Sequence, residues 1–368
     1  MVARLTLTPS YRSLDHNPRP WLQGVATTSF TVASRAVSEA GRILCAMLVL
    51  RADPWSPEYG MGFEPAFEES PLPRADPTVE TEDWSAPIAP PPAVPGPLWF
   101  VDGVRRVDLR LLADEGERRV PGLFGSYAVG AVRCDGRASF EAARVCRAVV
   151  LGGGVVPQRA EVPCGHERLE FDPAVEAGVE PNRPLERLQG LMREAENALA
   201  ARVVLDGAPL VLADGPLRLG EEGALPVVGV IKRFVRRYLG PEQESLLGRL
   251  GPGQRTPVFA LQDQQGAVRG FSWYARLVEL RPPWHDHTGL VRCEVRAAVG
   301  LDAALGLADR VSALLPDYAG RPADPRTPQN LAPVAGLESW LRHRMGDRAM
   351  IRRALVAWLA AEGGRADG

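Results

Sequence analysis

The sequence predicts a mixed α/β layer fold, because segments with strand-like and helix-like hydrophobic spacing alternate along the chain. Three alternating apolar segments lie between residues 98 and 133, an amphipathic helix is predicted at 184–203, and further strands and helices follow to residue 361. The chain has 368 residues, which suits two domains or one elaborated domain. With 45% hydrophobic and 24% charged residues, its composition is that of a globular protein.

Composition divides the chain into three regions. Residues 1–50 contain enough apolar residues to predict an ordered N-terminal extension. Residues 51–97 contain twelve prolines and several acidic residues, which predicts an extended linker or an arm along the surface. Plain disorder is the alternative for this region. Residues 98–368 carry the regular pattern and are predicted to form the main domain.

Charge, cysteine content and hydropathy exclude several classes of protein. The net charge of −2 argues against a globally basic DNA-coating protein, so any positive charge for nucleic acid must be local. Five cysteines without a CxxC pair argue against a disulfide framework and a zinc ribbon, and they favour a reducing cytoplasm. No apolar run approaches the roughly 20 residues of a membrane helix, and no signal-peptide layout is seen. We therefore expect a cytoplasmic protein without membrane contact.

The main domain is predicted to begin with three strands, at 98–104, 107–113 and 126–133, and to continue with a helix at 184–203. Gly103 and the region from Gly122 to Gly125 are predicted to supply the turns between the strands. Residues 201–214 are predicted as a buried strand with a turn at Asp206-Gly207, and residues 227–239 as a helix with a basic flank. The remaining expected elements are strands at 256–263, 270–280 and 289–299 and helices at 302–315 and 336–361.

Two aspartates end apolar runs and are each followed by glycine. Asp102 lies in FVDG and Asp206 in VVLDG. Because a carboxylate is costly to bury unless it is paired or binds a cation, two such strand ends predict one metal site reached from two strands. The alternative for each is a simple Asp-Gly turn.

A third carboxylate is expected on the helix between these aspartates, where Glu186, Glu194 and Glu196 compete. At about 100° per residue, Glu196 lies roughly 70° from the centre of the apolar face and the other two lie farther out. Glu196 is therefore favoured as the residue that points between helix and sheet. A solvated position on the helix flank is the alternative.

Lys232 is the only lysine among 43 basic residues. Since arginine replaces lysine everywhere else, this position could require a compact charge, for example to hold a scissile phosphate. The neighbouring Arg233, Arg236 and Arg237 would then contact the DNA backbone. The alternative is coding chance on a solvated helix flank.

Several segments, taken in order, resemble the NurA nucleases. They are FVDG, LQGLMREAENALA, VVLDGAPL and VVGVIKR, followed by WYARL, GLVRCEV and DPRTPQNL, and they cover roughly residues 95–355. The resemblance implies an RNase H-like core with flanking helices and a divalent-metal site, acting on DNA ends beside the hexameric translocase HerA. It also implies that Asp102, Glu196 and Asp206 are the metal-binding carboxylates.

The sequence departs from the family pattern at two places. Members often have serine after the Asp-Gly pair, where this chain has Val104 and Ala208. Archaeal members carry a late histidine, where this chain has Gln329 and Asn330. Asn330 is the candidate for a fourth metal ligand through its carbonyl, with a capping or turn role as the alternative.

The resulting hypothesis is a DNA nuclease that depends on Mn²⁺ or Mg²⁺, with Asp102, Glu196, Asp206 and Lys232 as catalytic residues. The resemblance implies a homodimer that docks on a HerA-like ATPase and acts on single-stranded and double-stranded DNA ends. Two alternatives are a non-catalytic DNA-binding or adaptor subunit of a translocase, and a phosphoesterase that acts on nucleotides or RNA.

Overall fold

The computed structural model describes most of the main domain and parts of the N-terminal region. The described residues are 30–37, 43–52, 74–92, 94, 96–217, 223–232, 237–279, 287–320 and 331–366, of which 30–37, 43–52 and 363–366 are described by backbone alone. The predicted site residues Arg233, Arg236 and Asn330 lie outside these ranges.

Thirteen strands in the described part of the chain form one mixed sheet. They are β1 (Phe30–Val37), β2 (Ile43–Ala52), β3 (Arg74–Asp76), β4 (Leu98–Glu115), β5 (Arg118–Cys134), β6 (Ala138–Leu151), β7 (Ala160–Cys164), β8 (Glu167–Val175), β9 (Val211–Asp214), β10 (Val227–Ile231), β11 (Phe259–Gln262), β12 (Val268–Arg276) and β13 (Leu290–Arg296).

Five α-helices among the described residues flank this sheet. They are α1 (Arg183–Leu205), α2 (Pro241–Glu244), α3 (Leu301–Leu314), α4 (Ala332–Arg344) and α5 (Arg348–Ala366). None of the described helices is both long enough and apolar enough to cross a membrane.

The centre of the sheet has the strand order β6-β5-β4-β9-β10. Strand β5 is antiparallel to both neighbours, whereas β4, β9 and β10 are parallel. Three sequential antiparallel strands followed by two parallel ones, with a helix between the groups, are the arrangement of an RNase H-like core. The predicted fold class is thus confirmed. Strands β13, β12, β11 and β3 extend the sheet on one side, and β8 and β7 extend it on the other.

The two faces of the sheet are covered by different helices. Phe100 and Val104 of β4 pack in one core with Leu337 of α4, whereas Val101 packs in another with Ala200 of α1. Since successive strand residues point to opposite faces, Asp102 belongs to the face that α4 covers. Gly103 belongs to the face that α1 covers.

Strand β4 corrects the first predicted elements. The segments predicted as two strands at 98–104 and 107–113 are one strand of 18 residues, with a register shift between Val107 and Leu109. Gly103 is therefore no turn residue. An ideal Cβ at Gly103 would lie 2.5 Å from Oε1 of Glu196, so the glycine permits close approach of α1.

Two predicted helices are also corrected. Residues 227–231 are a strand rather than the start of a helix at 227–239, and all five are buried because β10 lies between two strands with both faces covered. The helix predicted at 336–361 is two helices, α4 and α5. They are separated at Gly346, whose φ of 83° lies in the left-handed region.

Candidate metal centre and active site

Asp102 is a buried carboxylate with an unsatisfied oxygen. Strand β4 places it with only 5% of its surface exposed, and its Oδ2 has no hydrogen-bond partner among the described residues. Burial raises the pKa of this carboxyl well above its usual value, and the negative charges of Asp214 and Glu196 raise it further. Lys232 acts in the opposite direction. A bound cation would relieve both the desolvation and the repulsion.

Asp214 ends the strand next to Asp102. In the parallel pairing of β9 with β4, Ala213 lies opposite Val101, so Asp214 is level with Asp102. Its Oδ2 accepts a hydrogen bond from Nζ of Lys232 at 2.8 Å. The carboxyl end of β9 therefore delivers a second carboxylate and a cationic partner to the same place.

Glu338 of α4 completes a group of three carboxylates with Asp102 and Asp214. One oxygen from each lies within 4.8 Å of the others. Glu338 also accepts a hydrogen bond from Nη2 of Arg342, one turn later, at 2.9 Å. Sequence reasoning missed Glu338, although its place beside the buried Leu337 puts it at the border of the apolar face of α4.

Glu196 is buried on the other side of β4. The backbone N–H of Gly103 donates a hydrogen bond to it, and Nη1 of Arg193 lies 3.6 Å from its Oε2. Burial, opposed by Arg193 and reinforced by Asp214, raises its pKa to about 7. The helical phase correctly predicted that Glu196 borders the buried face. Its carboxylate lies outside the group of three oxygens, and metal binding by Glu196 stays a prediction.

The two other glutamates considered for this helix lie at its surface. Glu186 pairs with Arg183 at 2.7 Å, and Glu194 pairs with Arg187 at 3.0 Å. Both positions agree with the phase argument that excluded them.

The prediction that Asp206 ends a strand beside Asp102 is wrong. Helix α1 continues to Leu205, and Asp206 is its C-cap, with an exposed side chain that pairs with Arg202 at 3.1 Å. The helix runs two residues past its predicted end at Val203, and Val203 and Val204 both pack in the same core as Ala200. The strand and its Asp-Gly pair come eight residues later, at Asp214-Gly215.

Lys232 directly follows β10 and does not lie on a helix, which corrects its predicted setting. Its side chain is 18% exposed and points at Asp214. Arg237, from the predicted DNA-contacting group, is exposed and pairs with Glu244 at 3.4 Å. Whether Lys232 and Arg237 contact DNA stays a prediction.

Arg193 ties α1 to the end of β9. Its Nη1 donates a hydrogen bond to the carbonyl oxygen of Asp214 at 2.9 Å. The guanidinium occupies the space that a Cβ at position 215 would need, and Gly215 has a φ of 97°. Glycine at 215 is required both by the backbone conformation and by this contact.

Comparison with known families gives a match over the second half of the core. The matching family is described as "NurA domain", and the match covers residues 154–334. The chain contains a NurA domain. The resemblance seen in the sequence is thereby confirmed, and since NurA is a nuclease family, this domain assigns the chain to the nucleases.

The crystal structure of human ENDOV is also similar to this chain. The two share 15% sequence identity with a TM-score of 0.30, over 67% of this chain and 84% of that chain. This similarity is too low to support a shared function. No curated protein matches the chain at a significant level.

The matched NurA segment supplies only part of the candidate site. Glu196, Asp214 and Lys232 lie inside residues 154–334, whereas Asp102 and Glu338 lie before and after them. The carboxylate group therefore combines the NurA segment with β4 and α4.

The close contact between β4 and α1 leads to a prediction for Gly103→Ala. The new methyl would lie 2.5 Å from Oε1 of Glu196 and 2.9 Å from Cγ of Met192, so α1 must shift. We expect a loss of about 1–3 kcal/mol in the free energy of unfolding, measured by denaturant titration, together with reduced cleavage. The matched control is Gly306→Ala, because a Cβ there meets no atom within 4 Å. An unchanged stability of Gly103→Ala would contradict the steric argument.

Proposed function

We propose that this protein is a divalent-metal-dependent DNA nuclease that hydrolyses phosphodiester bonds at DNA ends. The observation that carries the proposal is the convergence of Asp102, Asp214 and Glu338, whose oxygens lie within 4.8 Å of one another on three separate elements. The NurA domain supports the choice of a nuclease among the reactions that such a site could perform.

The residues present fit a hard divalent cation such as Mn²⁺ or Mg²⁺. These ions prefer carboxylate oxygens, and three carboxylates converge here. The Oδ2 of buried Asp102 has no hydrogen-bond partner among the described residues, and the pKa of Asp102 is raised by burial and then by the nearby carboxylates, both of which a cation would offset. Asp102, Asp214 and Glu338 would hold the ion. Glu196 lies on the opposite face of β4, where it contacts Gly103.

A bound divalent ion would supply a Lewis acid that activates water and neutralises charge on the phosphate. Asp102 and Asp214, on adjacent strands, would fix the position of the cation relative to the sheet. Lys232 would present its ammonium to a non-bridging phosphate oxygen from beside Asp214. Arg193 would keep Glu196 and the end of β9 at a constant separation.

DNA and a motor protein complete the proposal. The order of segments that resembles NurA supports DNA ends as the substrate and a HerA-like hexameric ATPase as the partner, with the nuclease acting as a homodimer in the cytoplasm. In this arrangement the ATPase would move the DNA and the carboxylate site would cut it.

The deciding experiment is cleavage of end-labelled single-stranded and double-stranded DNA with Mn²⁺, Mg²⁺ or chelator. We expect cleavage with added metal and none with chelator, while circular dichroism shows that the fold survives chelation. Binding of DNA without cleavage under every metal condition would favour the adaptor subunit instead. Cleavage of RNA or free nucleotides in preference to DNA would favour a phosphoesterase. Cleavage that resists chelation would eliminate the metal mechanism.

Lys232 offers a test that depends on the phosphate contact. We expect Lys232→Ala to lower single-turnover cleavage by roughly 10- to 100-fold. Lys232→Arg should lower it less, because the guanidinium keeps the positive charge but spreads it over a wider, planar group. The salt dependence of DNA binding should fall by about one unit of slope in Lys232→Ala. Wild-type cleavage rates in both variants would show that Lys232 contributes only its ion pair with Asp214 and no phosphate contact.

A further inference from the structure

A buried ion pair on β13 is unexplained by the proposed chemistry. Nη1 of Arg292 lies 2.7 Å from Oε2 of Glu294, and the side chains are only 6% and 2% exposed. Burying two charges is costly unless their geometry and hydrogen bonds compensate. Strand β13 runs beside β10, so the pair lies next to the strand that leads to Lys232.

Glu294 reaches the turn that follows Asp214. Its Oε1 accepts a hydrogen bond from the backbone N–H of Leu217 at 2.7 Å. Gly229 of β10 makes this reach possible, because a Cβ there would lie 2.8 Å from the carbonyl oxygen of Gly215 and 2.9 Å from Cγ of Leu217. The turn therefore packs directly against β10, and the hydrogen bond between Leu217 and Glu294 ties it to β13.

Arg292 reaches the segment that follows Lys232. Its guanidinium carbon lies 4.7 Å from the ring centre of Tyr238, a cation–π contact. Nη1 of Arg292 also donates a hydrogen bond to Oγ of Ser272 on β12 at 3.1 Å. One ion pair thus contacts the chain after β9 through Glu294 and the chain after β10 through Arg292.

We propose that Arg292 and Glu294 are positioning residues that hold the Asp214–Lys232 pair in register for metal and phosphate binding. Leu217 follows Asp214 by three residues and Tyr238 follows Lys232 by six, and the side chains of Asp214 and Lys232 meet at 2.8 Å. Gly215 adds a third attachment, because its N–H donates to the carbonyl oxygen of Val230 at 2.9 Å. This inference rests on the proposed function, since it assigns Asp214 to the metal site.

The test compares Glu294→Ala with Glu294→Gln in the full-length protein. Glutamine keeps a carbonyl for the Leu217 N–H but loses the charge that pairs with Arg292, whereas alanine loses both. Both variants should lower the melting temperature. Glu294→Gln should weaken Mn²⁺ binding in calorimetry only slightly, because it keeps the contact with Leu217 and loses the ion pair with Arg292. Glu294→Ala should weaken Mn²⁺ binding by about 10- to 100-fold. It should also speed hydrogen exchange of the Leu217 amide, and in cleavage assays it should require more metal for half-maximal rate.

Glu80 provides a matched control. It is likewise paired with a buried arginine, Arg255, at 2.8 Å, and it accepts a hydrogen bond from the backbone N–H of Val258 at 2.6 Å. Val258 directly precedes β11. Three strands, β12, β13 and β10, lie between β11 and β9, so this contact is far from Asp214. Glu80→Ala should lower the melting temperature without changing the Mn²⁺ dissociation constant or Leu217 exchange.

The outcomes separate this inference from the proposed function. Failure of the wild-type protein to bind Mn²⁺ would overturn the metal site, and Leu217 exchange would still decide whether Glu294 holds the turn. Wild-type Mn²⁺ affinity and wild-type Leu217 exchange in Glu294→Ala would overturn the positioning role alone. Equal weakening of Mn²⁺ binding by Glu80→Ala would overturn it too, because the effect would then be a general loss of stability.

Discussion

Asp214→Asn is expected to reduce DNA cleavage by at least about 100-fold while the protein stays folded. The substitution removes one of three converging carboxylate charges and leaves the β9 backbone intact. A metal centre supplies several kcal/mol of transition-state stabilisation, and each 1.4 kcal/mol is a factor of about ten in rate. Single-turnover cleavage at saturating Mn²⁺ measures the effect, and the same substitution should weaken Mn²⁺ binding in calorimetry.

Asp206→Asn is the matched control, because Asp206 is followed by glycine as Asp214 is, but lies exposed at the end of α1. It should cleave DNA at the wild-type rate and lose at most a few tenths of a kcal/mol with its exposed partner Arg202. A large loss of cleavage in Asp206→Asn with normal activity in Asp214→Asn would return the site to its sequence-based assignment.

Glu196→Gln is expected to stabilise the metal-free protein at pH 8 by on the order of 3 kcal/mol. The pKa of Glu196 rises from 4.5 to about 7 on folding, so the folded state binds more protons than the unfolded state between these values. The free energy of unfolding therefore decreases as pH rises from about 4.5 to about 7, and this contribution is constant above that range. Glutamine stays neutral and still accepts the hydrogen bond from Gly103.

Denaturant titrations in chelator at pH 4 and pH 8 measure this effect. The two proteins should have similar stability at pH 4, where Glu196 is protonated in both states. The variant should be the more stable one at pH 8. If the variant and the wild type differ in free energy of unfolding by the same amount at both pH values, folding does not raise the pKa of Glu196. Adding Mn²⁺ at pH 8 should raise the wild-type melting temperature, because it neutralises the neighbouring carboxylates.

Sequence periodicity was sufficient for the parts of the site that depend on one element. The apolar face of α1 located Glu196, and the apolar run before Asp102 located a strand. Periodicity could not locate the boundary between α1 and β9, because the mostly apolar segment from Val203 to Asp214 fits the end of a helix as well as a strand. In the structure α1 continues along the sheet to Leu205, so the strand that delivers a carboxylate to the site ends at Asp214 and not at Asp206.

Glu338 and Gly103 required knowledge of the packing between elements. Glu338 is about 120 residues away from its neighbour Asp214, and no spacing rule connects the two. Gly103 read as a turn because Asp-Gly is a strong hairpin signal, whereas the contact with Glu196 that demands a glycine exists only once α1 lies on β4. Tertiary contacts of this kind leave little trace in local sequence.

The pairing of β4 with β9 has a consequence for how the protein matures. More than 100 residues separate Trp99 from its β9 partner Val211, and Glu338 arrives later still. Contacts so distant along the chain form slowly, because loop closure must precede them. An emerging chain would therefore hold no complete set of acidic ligands until its final third had been synthesised and docked. Premature termination or proteolysis before α4 would leave fragments that lack Glu338 and so an incomplete form of the proposed cation site. If the proposed nuclease activity depends on that site, such fragments should not cleave DNA.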